Sequence, residues 1–195
     1  KYVSISEEIK QLNYVRGFNS ELIRQPIKIL EQKKINDTLK NILIIRNTKV
    51  LISDPFSFLS EKYHVRYSDP DVPIEEQIKE ADLCITLGRG ALESMAQGVP
   101  VLVADNRNYI GAFGDGYITE VNIDEIAKNN FSGRRFKIPL TEKWIQFELN
   151  KYNPNDSIFL YDYVSKNHNV KNIVKEYLKE DAVEQLKPTI AFGCI

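Results

Sequence analysis

Cysteine is nearly absent from this chain: two residues in 195, Cys84 and Cys194, far apart in sequence. Two thiols so separated make neither a disulfide framework nor a metal knot. Cys84 lies in an apolar run and reads as a small buried hydrophobe suited to a reducing compartment. Histidine is as scarce. His64 and His168 have no neighbouring metal-ligand pattern, so both read as surface residues. Nine glycines and eight prolines exclude collagen-like and low-complexity architectures. No stretch approaches the roughly 18 apolar residues of a membrane span, and the N-terminus lacks the basic-then-apolar pattern of a signal peptide. Charge of either sign is not in excess: 26 Lys and Arg face 27 Asp and Glu, for a formal net charge of −1. The bulk electrostatics therefore give no reason to expect nucleic acid as a partner. Methionine occurs once, at Met95, and the chain begins at Lys1, so a fragment or a processed chain with partners missing in cis is expected.

What remains is an ordinary globular composition, 43% apolar and 27% charged, at a length that fits one large domain or one and a half ordinary ones and can bury a real core. Ser6-Glu7-Glu8-Ile9 looks like a capped helix start after a short strand at Tyr2-Val3-Ser4-Ile5, and Gly17 closes that helix. Gln25-Pro26 marks a bend into Ile27–Leu30. Ile42–Ile45 is a continuous apolar run of the kind found in a parallel strand buried on both faces. A helical turn near Phe56–Leu59, a strand at His64–Tyr67 and a helix Ile74–Ala81 opened by Pro73 follow. Next come a strand Asp82–Leu87, a short helix Ala91–Gln97 stopped by Gly98 and Pro100, and a strand Val99–Ala104. Strands alternating with helices imply right-handed crossovers and an α/β fold: a Rossmann-like parallel sheet with helices on both faces. Asn108–Gly116 reads as a glycine-rich surface loop and Asn122–Glu125 as a capping box. Helices are expected at Thr141–Leu149, Asp156–Val164 and Val170–Leu186, with a frayed tail beyond Pro188. Trp144, Phe147, Phe159 and Tyr163 recur at helical spacing and read as core. Asp69, Asp71, Glu75 and Glu76 read as decoration of a turn and a helix start.

The chemistry concentrates in Asp82–Val103. A buried strand ends in Gly88-Arg89-Gly90 and a helix begins at once, which aims unpaired backbone N–H groups and the positive end of a helix dipole at the carboxyl edge of the sheet. Glycines let a ligand approach the backbone, and the Arg89 fork can take a phosphate oxygen. The alternative is a merely tight turn. Glu93, at the third position of a helix starting near Gly90, is either a capping carboxylate reaching back to Gly90 or an acceptor for both hydroxyls of a ribose. Arg134-Arg135 reads as a solvated pair, with a phosphate clamp as the rarer option.

The run from Asp82 to Val101 resembles the donor-binding segment of GT-B glycosyltransferases, of the group 1 (family 4) type with a shortened donor loop. Glu93 through Val101 match that family's Glu-Ala-Met-Ala-x-Gly-x-Pro-Val, with Ser94 for the first Ala. Gly114–Thr119 and Asn130–Gly133 resemble the same subgroup, and Val3–Ile9 resembles the segment leaving the N-terminal domain. The resemblance implies one half of a GT-B fold plus C-terminal helices. Residues 1–30 would leave a missing N-terminal domain, 31–187 would form the donor-binding domain, and 188–195 a tail. It further implies that Glu93 binds the nucleotide ribose and that Gly88, Arg89 and Gly90 cradle the diphosphate. Arg46, after the Ile42–Ile45 strand, matches the family's phosphate-binding arginine, its alternative being a solvated surface residue. The expected substrate is a nucleoside diphosphate sugar, with no metal and no other cofactor. The acceptor, a glycan, lipid or other molecule, would be held by the missing domain. Localisation is expected to be cytoplasmic, with peripheral membrane attachment through that domain. Many retaining members carry an acid eight residues before the ribose glutamate; Ile85 stands there. The last helix, resembling one that returns to the N-terminal domain, offers an apolar docking face. Two rival readings are kept. One is an NAD(P)-dependent oxidoreductase, with Asp105 as the ribose acid after Gly88-x-Gly90, although Glu93 stands where a third glycine belongs. The other is a non-catalytic nucleotide-sugar-binding module.

Overall fold

The computed structural model describes residues 2–46, 54–105, 107 and 111–185, with side chains through Leu178. Asn108–Ile110 of the expected loop, Leu186, the tail and Cys194 lie outside the described residues.

The chain opens with a small parallel unit: β1 (Tyr2–Ser4), α1 (Glu7–Val15) and β2 (Ser20–Leu22), with Tyr2 opposite Ser20. Ser6 caps α1 as expected, its hydroxyl accepting the Ile9 N–H at 3.3 Å. Beneath the helix the Ser4 and Ser20 hydroxyls bond at 2.7 Å, and Asn13 donates to Ser4 at 3.0 Å. β2 carries no apolar run and gave no strand signal. α1 buries no residue, and Leu12, Tyr14 and Val15 are exposed.

The main sheet has six strands: β3 (Asn41–Ile44), β4 (His64–Tyr67), β5 (Leu83–Thr86), β6 (Val101–Asp105), β7 (Phe113–Tyr117) and β8 (Ile138–Pro139). Their order is β4-β3-β5-β6-β7-β8. The first four run parallel; β7 runs against them, and β8, antiparallel to β7, returns to their direction. The helices are α2 (Ile74–Lys79), α3 (Arg89–Met95), α4 (Ile123–Ala127), α5 (Glu142–Leu149), α6 (Asp156–Asn167) and α7 (Val170–Gln185).

Alternation along the strands divides the core. Ile42, Ile44, Leu83, Ile85 and Leu102 pack with Phe56, Leu59, Ile145 and Leu149. On the other face Val101 and Val103 meet α3, α4 and α6 through Leu92, Met95, Ile126 and Leu160. Leu43 and Cys84 meet Ile78 and Ala81. Both faces are thus covered, the condition under which a parallel sheet reads as unbroken apolar runs. This is a Rossmann-like α/β architecture, as the sequence implied.

Four local expectations are corrected. Phe113–Tyr117 is a largely buried strand and not surface loop. Its glycines admit α5: a methyl at Gly114 would overlap the Trp144 ring, and one at Gly116, at φ +101°, would lie 2.9 Å from the Glu148 carboxylate. Asn122 makes no capping box. Its Oδ1 accepts the Thr119 N–H at 2.8 Å and its Nδ2 donates to the Tyr117 carbonyl at 3.0 Å, while Glu125 pairs with Lys128 and Arg135. Phe147 is 61% exposed, because the covered face of α5 is set by Ile145, Glu148 and Leu149. His168 is 2% exposed instead of lying on the surface. It closes the α6–α7 junction, its Nδ1–H donating to the Gln25 carbonyl at 3.0 Å, and its backbone carbonyl accepts the Ile27 N–H at 2.7 Å. Burial pushes its pKa down to about 4, with the Gln25 bond opposing and nearby Arg24 assisting.

Candidate functional site

A cleft of about 1050 Å³ runs along the carboxyl ends of β4, β3, β5 and β6. Arg46, Arg89, Gly90 and Glu93 all line it, so residues far apart in sequence converge on one edge of the sheet. Open α/β sheets bind ligands at this edge, because the loops leaving the strands diverge there.

Arg46 is no freely solvated residue. Its Nη1 lies 3.2 Å from Asp54 Oδ2, and its guanidinium carbon sits 3.9 Å from the centre of the Tyr67 ring. The Tyr67 hydroxyl donates to the same Asp54 oxygen at 2.5 Å. Burial, reinforced by Asp54, pushes the Tyr67 hydroxyl up to about 12. The cation is therefore held between a carboxylate and an aromatic face, an arrangement that fixes its direction.

Gly88 precedes α3 at φ +55° and donates its N–H to the Phe131 carbonyl at 2.8 Å. That amide is used within the fold, so Gly88 shapes the turn. α3 begins at Arg89, two residues earlier than the periodicity suggested. Glu93 is therefore the fifth helical residue and cannot cap. Its Oε1 instead accepts from Arg89 Nε at 2.6 Å, and no side chain caps α3. The leading N–H groups at Arg89, Gly90 and Ala91 have no acceptor within the helix. Gly90 sits in α3 because the helix presses on β5: a methyl there would overlap Thr86 Oγ1 and lie 3.4 Å from Ile45 Cγ2.

The rim over β4 is the loop Ser68–Pro73, stapled by the buried amide of Gln77. Gln77 Oε1 accepts the Asp69 N–H at 2.8 Å, and its Nε2 donates to the Asp69 and Val72 carbonyls at 2.9 and 2.8 Å. Asp69-Pro70-Asp71 spells Asp-x-Asp, but Asp69 Oδ1 accepts the Asp71 N–H at 2.9 Å, the turn role expected of these acids. Among the described residues no group of His, Cys, Asp and Glu is placed to hold a metal ion.

Asp105 ends β6 fully buried, so it cannot serve as the ribose acid of an oxidoreductase. Its carboxylate accepts from Arg107 Nε at 2.7 Å and Nη2 at 2.5 Å. Sequence reasoning missed Thr86, Tyr67 and Arg107 as cleft-lining residues, and Asp54 as the carboxylate that holds Arg46. A polar Thr closing an otherwise apolar strand before a glycine turn was the available signal for Thr86. Ile85, where the resemblance leads one to expect an acid, lines the cleft. No helix among the described residues is long and apolar enough to cross a membrane.

No protein-family model matches this chain, and no curated protein does. Among solved structures it is similar to a mutant of S. aureus TarM in complex with Fondaparinux, alpha-GlcNAc-glycerol and UDP. The TM-score is 0.48 at 12% identity, over 90% of this chain and 42% of that one. The chain thus spans less than half the length of that protein.

Proposed function

We propose that the chain is the donor-nucleotide half of a GT-B-type glycosyltransferase, moving a sugar from a nucleoside diphosphate sugar to an acceptor held by a domain outside this sequence. The observation that carries the reading is the convergence of Arg46, Arg89, Gly90 and Glu93 in one cleft at the carboxyl edge of four parallel strands. In this reading Glu93 accepts the ribose hydroxyls, while Arg46, Arg89 and the leading amides of α3 face the diphosphate. Negative charge grows on the diphosphate as the sugar leaves, and fixed cations and dipoles directed at it lower that barrier. The Arg46–Asp54 contact involves two side chains each about a quarter exposed. Such pairs contribute at most about 1 kcal/mol, so a phosphate can displace Asp54 at little cost. No metal is required, since the neutralising charges come from arginines. Residues 1–30 are assigned to the passage from the N-terminal domain. The exposed Leu12, Tyr14 and Val15 of α1 and Val174, Tyr177 and Leu178 of α7 are surfaces for it to cover.

Calorimetric titration with UDP, GDP, a set of nucleotide sugars and NAD tests the reading, beside Glu93→Ala. One nucleoside diphosphate is expected to bind. Removing two hydrogen bonds to a charged acceptor should cost about 3–6 kcal/mol at most. A catalytic domain should also distinguish the nucleotide sugar from its diphosphate; equal affinities would favour a non-catalytic module. Binding of NAD alone, or diphosphate binding indifferent to Glu93→Ala, refutes the assignment.

A further inference from the structure

The donor-site reading leaves the base of the nucleotide open, and the rim of the cleft bears on it. By strand order the cleft has two ends: the loop Ser68–Pro73 leaves β4 at one, and Arg107 follows β6 at the other. Arg46, after β3, and Arg89, after β5, lie between them. Asp69 and Asp71 line the β4 end, where their charge repels a diphosphate, so the uncharged end of a nucleotide belongs there. Val72, Pro73 and Ile74 line the same end and give a flat base an apolar surface to lie on.

This loop has no hydrogen-bond donor left to offer a base. The Ser68 N–H goes to the Ile44 carbonyl at 2.9 Å, and the Ser68 hydroxyl donates to the Arg46 carbonyl at 3.3 Å. The Asp69 N–H is taken by Gln77 Oε1, the Asp71 N–H by Asp69 Oδ1, and the Val72 N–H by the Asp69 carbonyl at 3.3 Å. Pro70 and Pro73 have no N–H. Both hydrogens of the Gln77 amide go to loop carbonyls, those of Asp69 and Val72. Acceptors, by contrast, are left over. Among the described residues nothing donates to the Pro70 and Asp71 carbonyls or to the Asp71 carboxylate, and an ionised carboxylate only accepts.

We propose that the donor is a guanosine diphosphate sugar, with the edge of its guanine read by the carboxylate of Asp71. The proposal rests on the donor-site reading and adds the base to it. Guanine carries two donors side by side, N1–H and the exocyclic N2–H, which one carboxylate accepts as a pair. Uracil offers a single N–H flanked by two carbonyls, and adenine and cytosine set a ring acceptor beside the amino group. Against a rim of acceptors those oxygens and ring nitrogens lose water and gain no partner, so the rim selects against them. Gln77 is a positioning residue here. Its amide consumes the Asp69 N–H that a uracil carbonyl would need, and it fixes the turn that presents Asp71.

The test is calorimetric affinity for GDP, IDP, UDP, ADP and CDP, in the unsubstituted chain and in Asp71→Asn, with Glu75→Gln as the charge-matched control. GDP is expected to bind roughly ten-fold or more tighter than the other four, the discrimination of one good bidentate pair. IDP lacks only the exocyclic amine, so its deficit reads the second hydrogen bond with no substitution in the protein. Asp71 is exposed, so its replacement by Asn should leave the melting temperature unchanged. It should lower the GDP-to-UDP affinity ratio roughly ten-fold, because an acceptor oxygen becomes a donor amide. Glu75→Gln should leave that ratio unchanged. If another of the five binds as tightly as GDP, or Asp71→Asn keeps the unsubstituted ratio, the guanine assignment is overturned. Nucleotide binding that still depends on Glu93 would then leave the donor-site reading standing. If none of the five binds, the donor-site reading falls and the base assignment falls with it.

Discussion

Gly90 occupies the second position of α3, and two explanations compete for it: room for a ligand, or room for Thr86. Gly90→Ala discriminates between them. Glycine costs about 1 kcal/mol against alanine inside a helix, and Gly90 has no positive φ, so in open space the substitution should stabilise. The space is closed: the new methyl overlaps Thr86 Oγ1 and meets Ile45 Cγ2 at 3.4 Å. Forcing a methyl into a packed site costs about 1–3 kcal/mol. The net expectation is a loss of about 0–2 kcal/mol in the unsubstituted chain. In a Thr86→Ala background the hydroxyl and its clash disappear, and the helix gain of about 1 kcal/mol should reappear. Denaturant unfolding of the four proteins gives the coupling energy, expected at about 1–3 kcal/mol. An equal Gly90→Ala effect in both backgrounds would falsify the packing account. A Gly90→Ala chain of unchanged stability that no longer binds nucleotide would assign the glycine to the ligand.

Three further expectations follow from buried groups. His168 has a folded pKa of about 4 against an ordinary 6.5, so the unfolded chain binds its proton first. Its contribution is complete above pH 6.5 and is lost as pH falls towards 4, about 3 kcal/mol in all; urea unfolding at pH 7.5 and 5 should show the slope, and His168→Gln should remove that part of it. Cys84 is fully buried and its thiol is pushed up to about 12, so with Cys194 changed to Ser no thiol should react with Ellman's reagent until the chain unfolds. In Gln77→Ala the rim loop loses three hydrogen bonds to an exposed stretch that water can resolvate, so the stability cost should be only about 1–2 kcal/mol. Hydrogen exchange at the Asp69 amide should nonetheless rise to the rate of an open loop, and unchanged protection would show that the loop does not depend on the staple.

The strands β3, β5 and β6 were legible because burial on both faces writes itself as unbroken apolar sequence. β7 was not, because the same burial is achieved there by deleting side chains. Gly114 and Gly116 make room for Trp144 and Glu148, and glycine without its neighbour reads as a turn. The start of α3 was misplaced for a related reason, since a glycine inside a helix is explained only by Thr86 across from it. Asn122 looked like a cap because its spacing to Glu125 is right, yet its amide is taken by Thr119 and Tyr117. At the site, Arg46, Arg89 and Glu93 were each visible as residues of the right kind. What holds them was not, because Tyr67 and Asp54 reach Arg46 from other segments, and that pairing is a product of the sheet. Asp105 was visible too, but as a ribose-binding acid at a strand end. Only the fold shows that it is buried and paired with Arg107.

The reversal of direction after β6 limits what can lie on the sheet. Carboxyl ends are presented side by side by β4, β3, β5 and β6 only; the next strand turns its amino end to that edge. At the usual spacing of about 4.8 Å, the four ends make a ledge about 14 Å wide. A dinucleotide lies across two mononucleotide-binding halves joined at a crevice, and here the second half is replaced by an antiparallel ribbon. A ledge of that width has length for one nucleotide and not for two, which is what the proposed donor site requires.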